Sequence, residues 1–255
     1  MYPLELRGLT KNFGGLKALE DVSFKVRGNS ILSIIGPNGA GKTTLFNCLT
    51  GLIKPTRGNI FFKGIDITGK PSHRILSLGI ARTFQNIRLF KEMTVIENVM
   101  VSEHARTKQG ILGSIIRDRT FRGEEKAIRE KALEYLELVG IEAMKDVPAK
   151  SLPYGDQRRL EVARALASEP EILLLDEPTA GMNPQETEEM MTLIRKLKEL
   201  GHTIVFIEHD MRVVMGISET IVVLDHGSRI AEGTPSLVRE DPLVIEAYLG
   251  KEVHA

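Results

Sequence analysis

Short aliphatic and β-branched segments recur along the chain, separated by longer segments in which apolar residues have helical spacing. The short segments predict buried strands and the longer ones predict helices. This alternation is typical of an α/β protein whose mainly parallel sheet is covered on both faces. The predicted strands are residues 31–35, 80–84, 172–175, 203–207 and 220–224.

Two helices have clear start signals. Asn183 is a good N-cap residue, Pro184 suits the first helical position and Glu186 completes a capping box, so we expect a helix that runs to residue 200. A second capping box, Thr94 with Glu97, predicts a helix that continues toward residue 106.

Two regions interrupt the alternation. Residues 1–30 and 52–70 have the pattern of antiparallel strands, whereas residues 86–158 are mainly helical and include a broad apolar stripe over 124–139. We interpret these regions as an antiparallel β subdomain and a helical subdomain attached to one core, within a single domain over residues 1–255. The sequence contains no internal repeat, low-complexity tract or linker that would indicate a second domain.

The charges of the chain cancel overall but not locally. The 255 residues include 34 basic and 34 acidic residues, a balance that argues against the strongly basic domain typical of nucleic-acid binding, so we expect no nucleic-acid partner. Residues 1–170 nevertheless hold 27 basic and 18 acidic residues, a net charge of +9, whereas residues 171–255 hold 7 and 16, a net charge of −9.

The sequence also bears on the compartment. The longest aliphatic run, residues 172–175, is far too short to span a membrane, and the first dozen residues carry charges and no apolar segment, so we expect no secretory signal. The single cysteine, Cys48, fits a reducing environment. We therefore expect a cytoplasmic protein.

Residues 36–43 match the phosphate-binding pattern G-x-x-x-x-G-K-[ST] between a predicted strand and a predicted helix. In such a loop, backbone N–H groups and the helix N-terminus bind phosphate oxygens. Lys42 would reach the β- and γ-phosphates of a nucleotide, and Thr43 would ligate Mg²⁺. The alternative is a glycine-rich turn without a ligand. The residues predicted to bind the nucleotide here are Gly36, Pro37, Asn38, Gly39, Ala40, Gly41, Lys42, Thr43 and Thr44.

Two adjacent carboxylates, Asp176 and Glu177, end the aliphatic strand over residues 172–175. Ligands bind at the carboxyl edge of the sheet in α/β folds. Alternation of side chains would let Asp176 face a Mg²⁺ ion while Glu177 faces an attacking water as general base. Without the phosphate-binding loop, the same pair would be an ordinary solvated strand end.

These segments, together with further motifs, resemble the ATPases of ABC transporters over almost the whole chain. Gln85 stands at the family's Q-loop glutamine, residues 152–157 at its signature sequence, residues 179–183 at its D-loop, and His209 at its switch histidine. The resemblance implies a P-loop NTPase fold with a RecA-like, mainly parallel sheet, and hydrolysis of ATP with Mg²⁺ as cofactor.

The resemblance also implies roles for individual side chains. Gln85 would contact Mg²⁺ and water, His209 would contact the γ-phosphate, and Phe13 would stack on adenine. Each has a plainer interpretation: a solvated glutamine, a cap of the helix near Asp210, and a phenylalanine that covers the β subdomain. The predicted catalytic residues are Glu177, His209, Gln85 and Lys42, and the predicted metal ligands are Thr43, Gln85 and Asp176.

The signature segment departs from the family pattern Leu-Ser-Gly-Gly-Gln. Pro153 replaces the serine, Tyr154 the first glycine and Asp156 the glutamine, so that only Leu152 and Gly155 match. In the family this segment grips the γ-phosphate held by a second subunit, in a head-to-tail dimer with two ATP molecules at its interface. Because proline offers neither hydroxyl nor N–H, we expect closure around ATP that still occurs but is weaker than with serine, and that relies on the Gly155 N–H and on the dipole of a helix over residues 157–167. The alternative is that this segment only begins a helix and has no ligand.

A second departure from the family pattern is Asn183, where many members carry aspartate.

Longer stretches narrow the family. Residues 36–51, 81–101 and 246–250, and the insert over 102–123, are similar to the ATPase subunits of branched-chain amino-acid importers. This resemblance implies uptake of leucine, isoleucine or valine through separate integral-membrane permease subunits. The ATPase would lie peripherally at the cytoplasmic face of the inner membrane. A periplasmic or extracellular solute-binding protein would be an indirect partner. It implies a second ATPase subunit, either another copy or a similar chain. Importers of urea or other small amides are the alternative.

Two segments are candidates for contact with the membrane subunits. The first has the apolar residues Ile87, Leu89, Phe90 and Met93, which would line a cleft for a permease helix or lie in the protein's own core. The second, residues 110–122, mixes apolar residues with arginines, as in an element against lipid headgroups or in an ordinary amphipathic surface.

Two other functional classes share part of this pattern. A P-loop phosphotransferase would need an acceptor pocket and a lid, and ATPase activity without an acceptor would distinguish it. A non-transport ABC ATPase of DNA repair or translation would carry long coiled coils or tandem ATPase halves, which are absent from this sequence.

Overall fold

We describe a computed structural model of the protein over residues 1–104 and 119–249. Its strands are β1 (Leu4–Phe13), β2 (Leu16–Val26), β3 (Ile31–Ile35), β4 (Arg57–Phe62), β5 (Ile65–Asp66), β6 (Ile80–Arg82), β7 (Ile172–Asp176), β8 (Thr203–Ile207), β9 (Thr220–Asp225) and β10 (Ser228–Gly233). Its α-helices are α1 (Lys42–Leu49), α2 (Ser72–Leu78), α3 (Val95–His104), α4 (Arg119–Leu138), α5 (Tyr154–Leu166), α6 (Pro184–Glu199), α7 (Met211–Ile217), α8 (Pro235–Glu240) and α9 (Pro242–Leu249).

The larger sheet has six strands in the order β10-β9-β3-β8-β7-β6. All neighbours are parallel except β10, which pairs antiparallel with β9. The five predicted strands are confirmed, with the sixth formed by residues 228–233. The main difference is at β6, which ends at Arg82 rather than at residue 84, because the next residues leave the ladder to form a loop.

Both faces of this sheet are covered, as the uninterrupted aliphatic strands predict. Every residue of β3, β7 and β8 is buried. Along β7, Leu173 and Leu175 belong to one hydrophobic core, whereas Ile172 and Leu174 belong to another on the opposite face. The strand therefore joins two cores, and its end is rigidly placed between them.

The second sheet has four antiparallel strands in the order β2-β1-β4-β5. It is built from residues 4–26 and 57–66, which confirms the antiparallel strands predicted in 1–30 and 52–70. Its apolar face packs on α1 and on one face of the six-stranded sheet in a shared core. A backbone bond from Glu20 N to Gly227 O, 2.8 Å long, also links β2 to the turn after β9.

The helix starts follow the predicted caps. At α3, Thr94 N donates to Glu97 Oε2 (2.8 Å), and at α6 the reciprocal bonds between Asn183 and Glu186 are both 2.9 Å long. Helix α4 begins before the predicted residue 124, and buries Ile128, Ala132 and Leu136 of its stripe. Residue 106 and most of segment 110–122 lie outside the described residues.

Helix α5 begins at Tyr154, three residues earlier than predicted, and ends at Leu166. Pro153 stands at the N-cap, and its carbonyl accepts the first helical bond from Gln157 N at 3.0 Å. The helix therefore starts within the signature-like segment rather than after it. None of the helices over residues 1–104 and 119–249 has both the length and the hydropathy that a membrane span requires.

The capping box of α6 gives a stability prediction. Asn183→Ala removes the acceptor of the Glu186 N–H, and we expect the free energy of unfolding to fall by about 1 kcal/mol. Asn183→Asp keeps an acceptor and serves as the control, with a change of a few tenths of a kcal/mol at most. Urea denaturation of the three proteins measures both values, and equal stability of the alanine and aspartate variants would contradict the assignment.

Candidate functional site

The loop over residues 36–41 connects β3 to α1 and depends on glycine at two close approaches. A Cβ at Gly36 (φ +147°) would lie 2.0 Å from the carbonyl oxygen of Leu224, and a Cβ at Gly41 (φ +99°) would lie 2.4 Å from that of Ala18. Both contacts are sterically forbidden for a side chain, and both φ values favour glycine. The loop is thus held against β9 and β2 by its backbone, with the unpaired N–H groups of α1 at its end.

Lys42, the first residue of α1, lies inside the curl of the loop. Its Nζ donates to the carbonyl oxygens of Gly36 (2.7 Å) and Pro37 (2.9 Å). Burial lowers the pKa of Lys42, and the negative charge of Glu177 partly opposes this shift. The ammonium group therefore lies among the backbone atoms of the loop, where it could contact an anionic group bound there.

Glu177 lies between two side chains that come from distant parts of the chain. Its Oε2 accepts from Gln85 Nε2 at 2.9 Å, and its Oε1 lies 2.7 Å from His209 Nε2. The backbone of Glu177 is left-handed (φ +51°), and its N–H donates to Ile207 O at the end of β8 (3.0 Å). The strand ends thus bring together three of the four predicted catalytic residues.

His209 does not cap the following helix, which was its plainer interpretation. The N-cap of α7 is Asp210, whose side chain accepts from Arg212 N at 2.9 Å. The preceding residue, Glu208, is buried and accepts from the backbone N–H of Thr179 at 2.9 Å and from that of His209 at 2.9 Å. No sequence pattern indicates this role of Glu208, which links residue 179 to the end of β8.

These groups line an open cleft of about 510 Å³. Phe13, at the end of β1, forms part of its wall with 46% of its surface exposed, and Lys11 Nζ lies 4.8 Å from the centre of its ring. This exposure argues against a phenylalanine that only covers the β subdomain. The cleft is lined by Phe13, Leu16, Lys17, Ala18, Asn38, Gly39, Ala40, Gly41, Lys42, Thr43, Thr44, Gln85, Glu177 and His209.

Comparison of the sequence with known protein families identifies the family of this chain. The model of the family described as ABC transporter matches residues 19–180, and that described as Branched-chain amino acid ATP-binding cassette transporter matches residues 228–254. The chain belongs to the ABC transporter family. The fold prediction is confirmed by the structural neighbours, which are ATP-binding cassettes.

The relatives cover nearly the whole chain. The high-affinity branched-chain amino acid transport ATP-binding protein LivG of Salmonella typhimurium is 48% identical over 249 residues, which are 97% of this chain and 98% of that protein. BraF of Pseudomonas aeruginosa, with the same description, is 49% identical over the same shares.

Two solved structures are also similar. A nucleotide-free ATP-binding cassette from an ABC transporter superposes with a TM-score of 0.85 at 35% identity, over 97% of this chain and 99% of that chain. A dimeric bacterial ABC transporter cassette gives a TM-score of 0.78 at 28% identity, over 91% and 98%.

The signature-like loop of this ABC protein lies outside the cleft. Gly155, at the second position of α5, packs against the start of α6, where a Cβ would come within 2.8 Å of Glu186 Oε1. Asp156 is partly buried, and its Oδ1 lies 3.8 Å from Arg159 Nη1; burial raises the pKa of Asp156, and Arg159 opposes the shift. The Asp156 carboxylate is therefore paired with an arginine one turn later on the same helix.

The cleft predicted at Ile87, Leu89, Phe90 and Met93 is formed only in part. Phe90 is exposed and borders a groove of about 280 Å³ together with Phe84, Arg88 and Arg164. Leu89 instead packs on the hydrophobic core, and Ile87 and Met93 do not line the groove.

Asp176, a predicted metal ligand, forms an ion pair with an arginine of the same chain. It is 3% exposed, and its Oδ2 accepts from Arg82 Nη2 at 2.7 Å. The same guanidinium donates to Asn47 Oδ1 of α1 (2.7 Å) and lies over the ring of Phe84. Sequence reasoning missed Arg82, which is the last residue of β6 and belongs to no recognisable motif.

The residues predicted as metal ligands fit Mg²⁺ by their chemistry. Thr43 and Gln85 line the cleft and offer a hydroxyl and an amide carbonyl, and Asp176 adds a carboxylate at the adjacent strand end. Hard oxygen donors of this kind are those that Mg²⁺ prefers. Their role as metal ligands stays a prediction.

The buried ion pair gives a second stability prediction. Arg82→Met leaves the Asp176 carboxylate buried without its partner, so we expect a loss of about 3–5 kcal/mol in the free energy of unfolding. Lys150→Met, which removes an exposed pair with Glu92, is the matched control and should cost no more than about 1 kcal/mol. Guanidinium denaturation measures both, and similar losses in the two variants would refute the prediction.

Proposed function

We propose that this protein is the ATP-binding and ATP-hydrolysing subunit of an importer that takes up branched-chain amino acids through separate permease subunits. The observation that carries the proposal is the Glu177 carboxylate, held between Gln85 and His209 at the phosphate-binding loop. The near full-length similarity to LivG and BraF supports the transport assignment. We further propose that the β and helical parts described above act with the parallel sheet as one ATPase domain.

In this proposal the cleft binds ATP with its phosphates in the loop. Backbone N–H groups of residues 36–44 bind phosphate oxygens, Lys42 exchanges the carbonyls of Gly36 and Pro37 for the β- and γ-phosphates, and the exposed ring of Phe13 stacks on adenine. When bound, Mg²⁺ would neutralise phosphate charge, held by Thr43, Gln85 and Asp176.

Hydrolysis then needs one positioned base. The oxygen of a water attacks the γ-phosphorus, the bond to the β-phosphate oxygen breaks with its electron pair going to ADP, and Glu177 accepts the proton of the water. In this proposal Gln85 and His209 orient the Glu177 carboxylate, and His209 also contacts the γ-phosphate. No acceptor other than water is required.

A second ATPase subunit completes each site in this proposal. The N-terminus of α5, with the Gly155 N–H, binds the γ-phosphate held by the partner, so that two ATP molecules lie between two subunits, either identical or of two similar kinds. The dimeric cassette among the structural neighbours supports this arrangement. The protein would then act peripherally at the cytoplasmic face of the inner membrane, with a solute-binding protein as indirect partner.

The proposed base and cargo can be tested together. Glu177→Gln should bind ATP normally but lower kcat at least about 100-fold, because the water loses its proton acceptor. Lys42→Ala should weaken ATP binding about 10- to 100-fold, since it removes a bond to charged phosphates. The exposed Glu188→Gln is the control and should leave both unchanged.

The same variants should be expressed with the cognate permeases in cells that lack their own branched-chain importer. Uptake of labelled leucine should be lost in Glu177→Gln and kept in Glu188→Gln. Hydrolysis without leucine uptake, but with uptake of labelled urea, would refute the cargo and leave the ATPase assignment intact.

The proline at the N-cap of α5 gives a prediction about closure. In a Glu177→Gln background, Pro153→Ser adds a hydroxyl and an N–H, and should tighten ATP-dependent dimerisation about 10- to 100-fold if these groups bond the partner's phosphate. Pro153→Ala restores only the N–H and should have a smaller effect. Analytical ultracentrifugation with ATP and Mg²⁺ measures the dissociation constants; no tightening with serine would contradict this role of the loop.

A further inference from the structure

A buried arginine connects the start of α5 to the backbone of the loop that carries Gln85. The side chain of Arg158 is 5% exposed. Its Nη1 donates to Phe84 O at 2.9 Å and its Nη2 donates to Gln85 O at 2.7 Å. Because both acceptors are backbone atoms, the contact follows the course of the loop and is independent of where the Gln85 side chain points.

The same guanidinium holds the side chain of Tyr154 one turn earlier on α5. Tyr154 Oη accepts from Arg158 Nε at 3.1 Å and from Nη2 at 2.8 Å, and the guanidinium carbon lies 5.3 Å from the ring centre. The edge of the ring lies against Gly181, where a Cβ would come within 3.2 Å of Tyr154 Cε1. Tyr154 therefore contacts the segment that follows Glu177 as well as Arg158.

Glu161 completes the environment of the arginine. Its Oε2 lies 3.4 Å from Arg158 Nη1, and its Oε1 accepts from Arg88 N at 2.8 Å. One carboxylate oxygen of Glu161 thus contacts Arg158, which binds the loop, and the other accepts a hydrogen bond from the loop residue Arg88. Only the planar, multiply donating guanidinium can contact two carbonyls, a phenol and a carboxylate at once, so a lysine cannot replace it.

We propose that Tyr154 and Arg158, the tyrosine–arginine clamp, are positioning residues that make the N-terminal end of α5, residues 153–155, follow the backbone of Gln85. The proposal rests on the proposed function, in which that end of α5 binds the partner's γ-phosphate and Gln85 lies at the subunit's own nucleotide. The connection runs from Glu177 to the Gln85 side chain, from the Gln85 carbonyl to Arg158, and from Arg158 to Tyr154.

The clamp accounts for a tyrosine at the position where the pattern Leu-Ser-Gly-Gly-Gln has its first glycine. A glycine there would leave the Arg158 Nε without its partner and the Gly181 segment without the ring that packs on it. In this chain the orientation of the phosphate-binding end of α5 is thus set within the subunit before a partner arrives. A change at the nucleotide that moves the Gln85 loop is passed to the surface offered to the other subunit.

Amide hydrogen exchange on the dilute full-length protein tests this coupling, with a non-hydrolysable ATP analogue and Mg²⁺ as the probe. In the unmodified protein, the analogue should change exchange in peptides that cover residues 83–90 and 150–160. In Tyr154→Phe and Arg158→Lys, the change at 83–90 should persist, whereas the change at 150–160 should fall by about tenfold. Affinity for the analogue should stay within about twofold of the unmodified value, because neither residue lines the cleft.

Arg159→Gln is the matched control on the same helix. Arg159 pairs with Asp156 and Glu189 and has no bond to residues 84 and 85 among the described contacts, so both peptides should respond as in the unmodified protein. Steady-state hydrolysis gives a second readout: the clamp variants should lower kcat about tenfold at nearly unchanged KM, and Arg159→Gln should not. Thermal unfolding checks that Tyr154→Phe remains folded.

The possible results separate the clamp from the proposed function. If the unmodified protein fails to bind the analogue, the nucleotide site itself is refuted. If it binds the analogue but peptide 150–160 does not respond, or if that response survives in both clamp variants, the clamp is refuted. An equal loss in Arg159→Gln would also overturn it, since the effect would then be general to α5.

Discussion

The parallel register of β3, β8, β7 and β6 is the constraint on which the site depends. In this register Ile34 pairs with Ile207, and Ile207 pairs with Asp176, so that the carboxyl ends of three strands lie side by side. The phosphate-binding loop, Glu177 and His209 each follow one of these ends. Residues that are more than 100 positions apart therefore reach one cleft without any long loop, and the full burial of the strands fixes that edge from both faces.

Buried arginines link this edge of the sheet to neighbouring helices and loops through hydrogen bonds. Arg82 joins the end of β7 to α1, and Arg158 joins α5 to the loop after β6. The arrangement has a cost, because the Nε atoms of Arg82 and Arg164 are buried without a hydrogen-bond partner among the described residues, and each such group costs about 1–3 kcal/mol. The buried charged contacts thus contribute more to the positions of the elements around the proposed nucleotide site than to the free energy of unfolding.

The parts of the structure that the sequence predicts are those with local patterns. Residues 36–43, the aliphatic strands and the capping boxes at Thr94 and Asn183 each require only a few neighbouring residues, and the structure contains all of them. The contacts of Arg82 and Arg158 could not be predicted, because their partners lie 94 and 73 positions away and an arginine at a strand end or on a helix has no distinctive spacing. The start of α5 at Tyr154 is not predictable for a related reason, since Pro153 suits either a loop or the residue that begins a helix.

The left-handed backbone at Glu177 has a consequence for how this position can change. A non-glycine residue in that conformation costs about 1–2 kcal/mol, whereas glycine or asparagine adopts it more easily. Selection for stability alone would therefore favour losing the carboxylate. Asp21, Asn29, Lys63, Glu169 and His226 also have left-handed backbones, so the conformation by itself does not mark a functional residue. At Glu177 it coincides with the bonds to Gln85 and His209, and the molecule tolerates local strain there to hold one oxygen pair in a fixed direction.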